Sequence, residues 1–325
     1  MSYGEIIRTA FGITRRNRHL WFFGLFAGAG VNVPAPNFGG NFNFQGPDRS
    51  DAAVPWSTLP QGDAPSPGVL VAIGVAVLVV VLALIALSLL SQGALAESVA
   101  AIDRGGERSF RAAWHAGARS FWRMLGLAAL ILAIFLAAVI VVGVPLGLIV
   151  WGVFSATEAL APRILVGVVA GLVALAALLV LFILLPLIGQ LAVRELVLRE
   201  GRPVASFRAG LALFRAHLGK SLLLWLILLG IGIGAAIALL LAALLVGLVL
   251  ALPAIGLAIG GLEVAAIIAG VIAGVILLAL FIVALAALGT FNHAYWTLGY
   301  LRLRALEAAA GPAAPAPGPG PAPAT

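Results

Sequence analysis

The sequence is poor in charge. Only 10% of its 325 residues are Asp, Glu, Lys or Arg, whereas 63% are hydrophobic. Since roughly a quarter of the residues in a soluble domain are charged, this chain has too few charges to cover a water-facing surface. Several apolar runs also exceed the ~18 residues that suffice to cross a bilayer. The sequence therefore predicts an all-α, polytopic transmembrane helical bundle.

Cysteine is absent, which excludes disulfides, thiolate metal sites and cysteine nucleophiles. The sequence shows no nucleophile elbow, phosphate-binding loop or dinucleotide fingerprint, and no histidine has a carboxylate at metal-ligand spacing. We therefore predict a protein that is not an enzyme, with no catalytic residue, metal or cofactor. The histidines lie at the ends of apolar runs and are expected to face the membrane–water interface: His19, His115, His217 and His293.

The apolar runs divide the chain. Residues 1–19 are a basic amphipathic segment, 20–307 the membrane domain, and 308–325 a Pro/Ala tail expected to be disordered. A stretch rich in Gly, Pro and Asn at 35–67 predicts a long outer loop. Six spans are predicted, at about 20–34, 69–91, 124–154, 164–189, 221–250 and 264–289.

The first of these spans is short. About 14 apolar residues at ~1.5 Å each reach ~21 Å, less than the ~30 Å hydrocarbon core. Because arginines precede the run and small residues follow it, a re-entrant segment or a signal peptide is an alternative. The other five spans contain no Asp, Glu, Lys, Arg or His, which disfavours ion-coupled transport.

Basic residues are distributed unevenly between the connections. Seventeen of the 19 lie in segments 1–19, 94–123, 191–220 and 291–307. The remaining two are Arg49 and Arg163, in the alternate connections. The positive-inside rule then places both termini in the cytoplasm. It also explains the high pI without a nucleic-acid partner.

One stretch occurs twice, as SFRAAWHAGARSFWR at 109–123 and as SFRAGLALFRAHLGK at 206–220. In each copy apolar residues recur at helical spacing with arginines off that stripe, which is typical of a helix in the headgroup region. The word NRHLW near the N-terminus resembles ARSFW of the first copy. The chain is therefore predicted to contain three pseudo-repeats, each with an interfacial helix before paired spans; the two clear interfacial helices lie within 94–123 and 191–220.

The repeated stretches supply the candidate site residues. The basic ones are predicted to contact anionic lipid headgroups or a partner protein: Arg108, Arg111, Arg119, Arg123, Arg208, Arg215 and Lys220. Aromatic residues at the ends of spans are predicted to be interfacial anchors: Trp21, Trp114, Trp122, Phe207, Phe214, Tyr295 and Trp296. Alternatively, the basic residues only fix the topology.

These features predict a non-enzymatic integral membrane protein that engages anionic lipid or a partner protein at the cytoplasmic face. A transporter or lipid-translocating protein, with an uncharged pathway between repeats, is the alternative. Glycine pairs such as Gly143/Gly147 and Gly167/Gly171 have the small-xxx-small spacing that predicts close helix packing. The sequence leaves the oligomeric state open.

The layout also resembles a known family. The word RHLWFFGLF, the long loop, the two S-F-R-x-(A/G) helices and the Tyr/Trp-rich boundary at 291–304 resemble an uncharacterised bacterial six-pass family. That family is similar to the membrane domain fused to some glycerophosphoryl diester phosphodiesterases. The resemblance covers about residues 3–305 and implies a six-pass helical fold in the bacterial cytoplasmic (inner) membrane. In those enzymes a separate barrel with acidic metal ligands performs hydrolysis; this sequence contains no counterpart of it, so no catalytic residue is carried over.

Overall fold

The computed structural model describes residues 2–29 and 67–310, and in that part of the chain every regular element is helical. A 3-10 turn, Arg18–Leu20, joins the first two helices. The eight α-helices are α1 Tyr3–Arg16, α2 Trp21–Ala29, α3 Pro67–Asp103, α4 Phe110–Ala156, α5 Leu160–Leu198, α6 Pro203–Ala216, α7 Leu218–Ile259 and α8 Glu263–Ala310. The predicted all-α bundle is confirmed. Nearly all of the predicted outer loop and most of the predicted tail lie outside the described residues.

Five of the described helices, α3, α4, α5, α7 and α8, are long and apolar enough to cross a membrane. They contain between 36 and 47 residues in these stretches, or about 54–70 Å at 1.5 Å per residue, well beyond the ~30 Å hydrocarbon core. Each helix is therefore longer than one crossing of a bilayer requires. Of the predicted first span, the structure describes α2, whose nine residues reach only about 13 Å; residues 30–34 lie outside the described part.

The hydrophobic core lies at one end of the bundle, which we call the packed end. Connections 104–109 and 199–202 lie at this end, and 157–159 and 260–262 lie at the opposite, open end. Buried side chains concentrate in the packed-end halves of α3, α4, α5 and α8. At the open end the helices are exposed; residues 68–84 of α3 are exposed on every side. Apolar side chains exposed all round a helix are typical of contact with lipid.

The helices at the packed end form a ring around three inner helices. The inner helices α3, α5 and α8 contact one another, while α4 packs on α3, α6 packs on α5, and α1 and α2 pack on α8. The pairs α2–α3, α4–α5 and α7–α8 are also in contact. Each inner helix is thus the second span of a predicted repeat. It contacts the first helices of the next predicted repeat: α3 contacts α4, α5 contacts α6, and α8 contacts α1 and α2. The three predicted repeats therefore form a closed ring.

Glycines allow close crossings where these repeats meet. A Cβ on Gly117 of α4 would overlap the carbonyl oxygen of Leu90 in α3, and a Cβ on Gly289 of α8 would overlap the carbonyl oxygen of Gly24 in α2. Gly210 of α6 lies similarly against the main chain of α5. Because the obstacle is backbone in each case, no side chain fits at these positions without moving a helix.

Two of the glycine pairs with this spacing do not make such crossings, whereas Gly24, which has the same spacing to Gly28, does. Gly143, Gly147, Gly167 and Gly171 have no neighbouring atom within 4 Å of an added Cβ. They lie toward the open end, where α4 and α5 are largely exposed. The prediction of close packing at these four glycines is therefore wrong, since small residues promote close contact only where a second helix crosses them.

The two copies of the repeated stretch begin differently. Ser109 is the N-cap of α4, and its Oγ accepts a hydrogen bond from the backbone N–H of Ala112 at 3.2 Å. Ser206, its counterpart, lies inside α6, and its buried Oγ has no hydrogen-bond partner in the described ranges. The copies also end differently: α4 continues unbroken into its span, whereas α6 ends before α7 begins.

This difference predicts unequal effects of the same substitution. Ser109→Ala should lower the free energy of unfolding by about 1 kcal/mol, since it removes an N-cap. Ser206→Ala should change it by less than about 0.5 kcal/mol, because its hydroxyl forms no hydrogen bond that could be lost. Chemical unfolding of both variants in the same detergent micelles measures the difference. Equal losses would contradict the assigned capping role.

Candidate functional site

Arg194 of α5 is a buried cation with neutral partners. Its side chain is 1% exposed. Nη1 donates hydrogen bonds to the carbonyl oxygen of Gln190, at 3.0 Å, and to the Gln190 side-chain Oε1. Nη2 lies 3.2 Å from Nδ1 of His293 in α8. Nowhere in the described residues does a carboxylate contact this guanidinium, although buried charges are normally paired.

These contacts define the state of His293. A guanidinium group has only donors, so Nδ1 must accept the hydrogen bond from Arg194. The ring also hydrogen-bonds the main chain of Ala27 in α2, which suits a neutral imidazole with its proton on Nε2. His293 thus connects α2, α5 and α8. It is 3% exposed, so the prediction that it faces the interface is wrong: α8 is an inner helix, and this side faces its neighbours.

Glu195, the next residue of α5, connects α5 to α8. Its Oε2 accepts hydrogen bonds from the hydroxyl of Tyr300, at 2.5 Å, and from Nε of Arg304, at 3.2 Å. Its Oε1 lies 3.6 Å from a guanidinium nitrogen of Arg199. The side chain is only 7% exposed. Both oxygens of the Glu195 carboxylate therefore have partners other than Arg194.

Two buried glutamines lie at the edge of a cavity, and one of them, Gln190, contacts Arg194. The cavity has a volume of about 170 Å³ and lies between α3, α4 and α5. Gln92 of α3 and Gln190 of α5 line it, together with apolar side chains. Nε2 of Gln92 donates a hydrogen bond to Oγ of Ser88 at 3.3 Å. We call Gln92, Gln190, Arg194 and His293 the polar centre.

A second cavity lies between α4, α5 and α6. Its volume is about 470 Å³. All of its lining residues are apolar, among them Ala138, Leu181 and Phe207. Since nothing in this lining can orient a polar group, the groove suits hydrocarbon chains without selecting a head group.

The predicted basic contacts fall into two groups. Five are exposed, and we call them the basic rim: Arg111, Arg119, Arg208, Arg215 and Lys220. Among residues 2–29 and 67–310, no carboxylate forms an ion pair with any of the five. Arg108 differs, since its Nη2 lies 3.1 Å from Oε1 of Glu97, and Arg123 is half-buried. The rim residues are therefore the ones available to another molecule.

The predicted aromatic anchors are divided between the surface and the core. Trp122 is 76% exposed and Trp114 is 37% exposed, while Trp21 and Phe207 are half-buried. Three are buried in the packed end: Phe214, Tyr295 and Trp296. The hydroxyl of Tyr295 donates a hydrogen bond to the carbonyl oxygen of Leu224 at 3.1 Å. The structure therefore places these three between helices and not in contact with lipid.

The polar centre was not predicted from the sequence. Arg194 was counted among the cytoplasmic basic residues of segment 191–220, although the residues around it are mostly apolar. A signal was present: Gln92 and Glu97 are separated by five positions, and so are Gln190 and Glu195. Two polar residues repeated at one spacing, in otherwise apolar helices, could have marked the inner faces of α3 and α5.

The chain matches a family of unknown function, DUF7544, over residues 18–306. The chain belongs to this family. No curated protein and no solved structure matches it. This match agrees with the expectation of an uncharacterised family, and it covers the polar centre and the basic rim. It shows no link to the membrane domain of glycerophosphoryl diester phosphodiesterases. Within the described residues, no three His, Asp or Glu side chains are grouped to hold a metal ion.

Proposed function

We propose that this protein is a non-enzymatic multi-pass protein of the bacterial cytoplasmic membrane whose basic rim binds anionic phospholipid headgroups. The observation that carries this proposal is the basic rim itself. Its five cations are exposed, they lie on the first helices of two repeats, and no described carboxylate neutralises them. Anionic headgroups supply the missing negative charge.

The distribution of charge supports a cytoplasmic packed end. The basic rim lies there, as do the exposed arginines Arg8, Arg15 and Arg16 of α1. In the described part of the open end the basic residue is Arg163, and its Nε and Nη2 are hydrogen-bonded to main-chain carbonyl oxygens. By the positive-inside rule, the packed end and both termini are then cytoplasmic.

The surroundings of the rim favour lipid over a partner protein. In α4, exposed Trp114 and Trp122 accompany Arg111 and Arg119. An indole ring lies readily at the headgroup level, with its apolar body toward the acyl chains. Because α4 continues from this region directly into an apolar span, its arginines are held near the depth of the lipid phosphates.

Removal of four rim charges should abolish lipid selectivity. We expect the variant with Arg111, Arg119, Arg208 and Arg215 all changed to Gln to lose enrichment of phosphatidylglycerol. Each arginine near the surface is worth about 1 kcal/mol. The measurement is mass spectrometry of the lipids retained in native polymer discs, compared with bulk membrane.

Arg163→Gln is the matched control, because it removes a positive charge from the open end. It should retain the enrichment seen in the unmodified protein. If the fourfold variant retains the same lipids as the unmodified protein, the rim does not select lipid. If both variants lose enrichment equally, charge at the packed end is not the cause.

Lipid translocation is a second candidate function, and the position of the cavity favours it. The cavity lies between α3, from the first predicted repeat, and α4 and α5, from the second. Sites between repeats are common in transport proteins. Reconstituted protein should then accelerate the loss of fluorescence when dithionite is added to vesicles containing a nitrobenzoxadiazole-labelled phospholipid. A rate equal to that of protein-free vesicles would exclude this function.

A further inference from the structure

The cavity beside the polar centre has two chemically different parts. Most of its wall is hydrocarbon, supplied by Met124, Ile131 and Phe135 of α4 and by Phe182 of α5. One part carries the side chains of Gln92 and Gln190, which are 5% and 8% exposed. A mostly apolar cavity with a few convergent polar groups is the usual form of a small-molecule site.

The two amides retain unused hydrogen-bonding capacity. Gln92 donates through Nε2 to Ser88, but its Oε1 has no partner in the part of the chain that the structure describes. Gln190 accepts through Oε1 from Arg194, but its Nε2 has no partner there either. The lining therefore presents one unpaired donor and one unpaired acceptor, which a bound molecule can satisfy.

Arg194 determines which of these groups matters most. Its hydrogen bond to Oε1 fixes the orientation of the Gln190 amide, so the NH₂ group is the part left for a guest. Because no described carboxylate contacts Arg194, its positive charge is not neutralised next to Gln190, which lines the cavity. Both effects favour a guest whose head group accepts hydrogen bonds and carries negative or partial negative charge.

The cavity is accessible from the membrane side of α4 and α5. Leu132 and Phe182 in its wall are 54% and 42% exposed, and both lie within predicted apolar spans. With the packed end in the cytoplasm, this part of the spans lies in the inner leaflet. A guest that enters here comes from among the acyl chains.

We propose that this cavity binds an acyl-chain amphiphile by its carbonyl or carboxylate group. The oxygen accepts a hydrogen bond from Nε2 of Gln190, and the chain lies along Ile131, Phe135 and Phe182. A free fatty acid and an acyl ester of a phospholipid share this chemistry. The proposal rests on the membrane placement described above, but not on lipid binding by the basic rim.

The test uses the full chain in lipid discs and two photoreactive probes, a diazirine-labelled palmitic acid and the matching diazirine-labelled hexadecane. Adducts are located by peptide mass spectrometry. We expect palmitic acid to label residues 124–135 and 182–193 at least fivefold more than hexadecane does. Equal labelling by the two probes would overturn head-group recognition. This comparison uses the unmodified protein and requires no variant.

Variants then locate the site. Ala128→Leu adds volume to the cavity wall and should reduce palmitic acid labelling at least fivefold, whereas Ala138→Leu, in the second groove, should not. Gln190→Leu, which removes the proposed donor to the guest oxygen, should reduce the preference for palmitic acid over hexadecane, whereas Gln92→Leu, which removes an unpaired acceptor, should not. Unchanged labelling in a folded Ala128→Leu protein would overturn the proposal.

Competition distinguishes the two sources of the guest. Suppression by unlabelled oleate alone identifies a free fatty acid, and equal suppression by phosphatidylglycerol identifies an acyl ester. The variant lacking four rim arginines should label like the unmodified protein, so failure of the rim proposal leaves this one intact. Labelling spread evenly along the open ends of the helices would instead show general contact with lipid and would overturn a specific site.

Discussion

Gly289→Ala is expected to lower the free energy of unfolding by about 3 kcal/mol, at the upper end of the usual cost of overpacking. The added methyl group would overlap the carbonyl oxygen of Gly24. That oxygen belongs to the backbone of α2, so relief requires movement of a whole helix. The movement would also strain the hydrogen bond, 3.2 Å long, from the Thr290 hydroxyl to the carbonyl oxygen of Leu20.

The matched control for Gly289→Ala should change stability in the opposite direction. Gly143 and Gly171 also lie inside long helices, but an added Cβ there meets no atom within 4 Å. Alanine is favoured over glycine inside a helix by about 1 kcal/mol, so Gly143→Ala and Gly171→Ala should be neutral or stabilising. Unfolding of the three variants in the same micelles tests this. If the three variants change the free energy of unfolding equally, the close crossing of α2 and α8 does not contribute specifically to stability.

Glu195→Gln should lower the free energy of unfolding by about 3 kcal/mol. Removal of one partner from a buried ion pair typically costs about 3–5 kcal/mol, and we take the lower end because the Arg304 side chain is 20% exposed. Glutamine has nearly the same shape as glutamate, so the loss comes from charge. The hydroxyl of Tyr300 would also exchange a carboxylate acceptor for a weaker, neutral one.

Glu263→Gln provides the comparison, because Glu263 is exposed at the start of α8. Its effect should be within about 0.5 kcal/mol. A double-mutant cycle of Glu195→Gln with Arg304→Gln should give a coupling free energy of at least about 1 kcal/mol. A coupling near zero would contradict the role of this pair in joining α5 to α8.

The fold class followed from the sequence because long apolar runs leave few alternatives to membrane helices. The same runs gave the five long spans, and the structure shows α3, α4, α5, α7 and α8 at those places. Exact bounds did not follow. Residues 94–103 simply extend α3, and residues 110–123 simply begin α4, because nothing in either segment interrupts helical hydrogen bonding where the polar and apolar parts meet.

The sequence indicated only the exposed part of the candidate site. Arg111 and Arg208 were predicted to contact lipid or a partner; they are exposed on helices, and the contact itself stays a prediction. Arg194 was counted only among the cytoplasmic basic residues and His293 among the interfacial histidines, because composition alone does not separate a side chain on an outer helix from one on an inner helix. That distinction depends on which helices cross at Gly24 and Gly117, and contacts between distant parts of the chain determine it.

The concentration of the core at the packed end has a consequence for the bilayer itself. In the open halves, residues 68–84 of α3 are exposed on every side, and α7 packs on α8, its neighbour in the chain, as where Gly247 meets Leu277. A change in the tilt of α3, or of α7 and α8 together, therefore breaks little packing. In a thin membrane they can tilt further, and in a thick one they can stand closer to the bilayer normal, a usual response to hydrophobic mismatch. The polar centre and the basic rim would keep their geometry throughout. We therefore expect this protein to function in membranes of different thickness, with the open halves absorbing the mismatch.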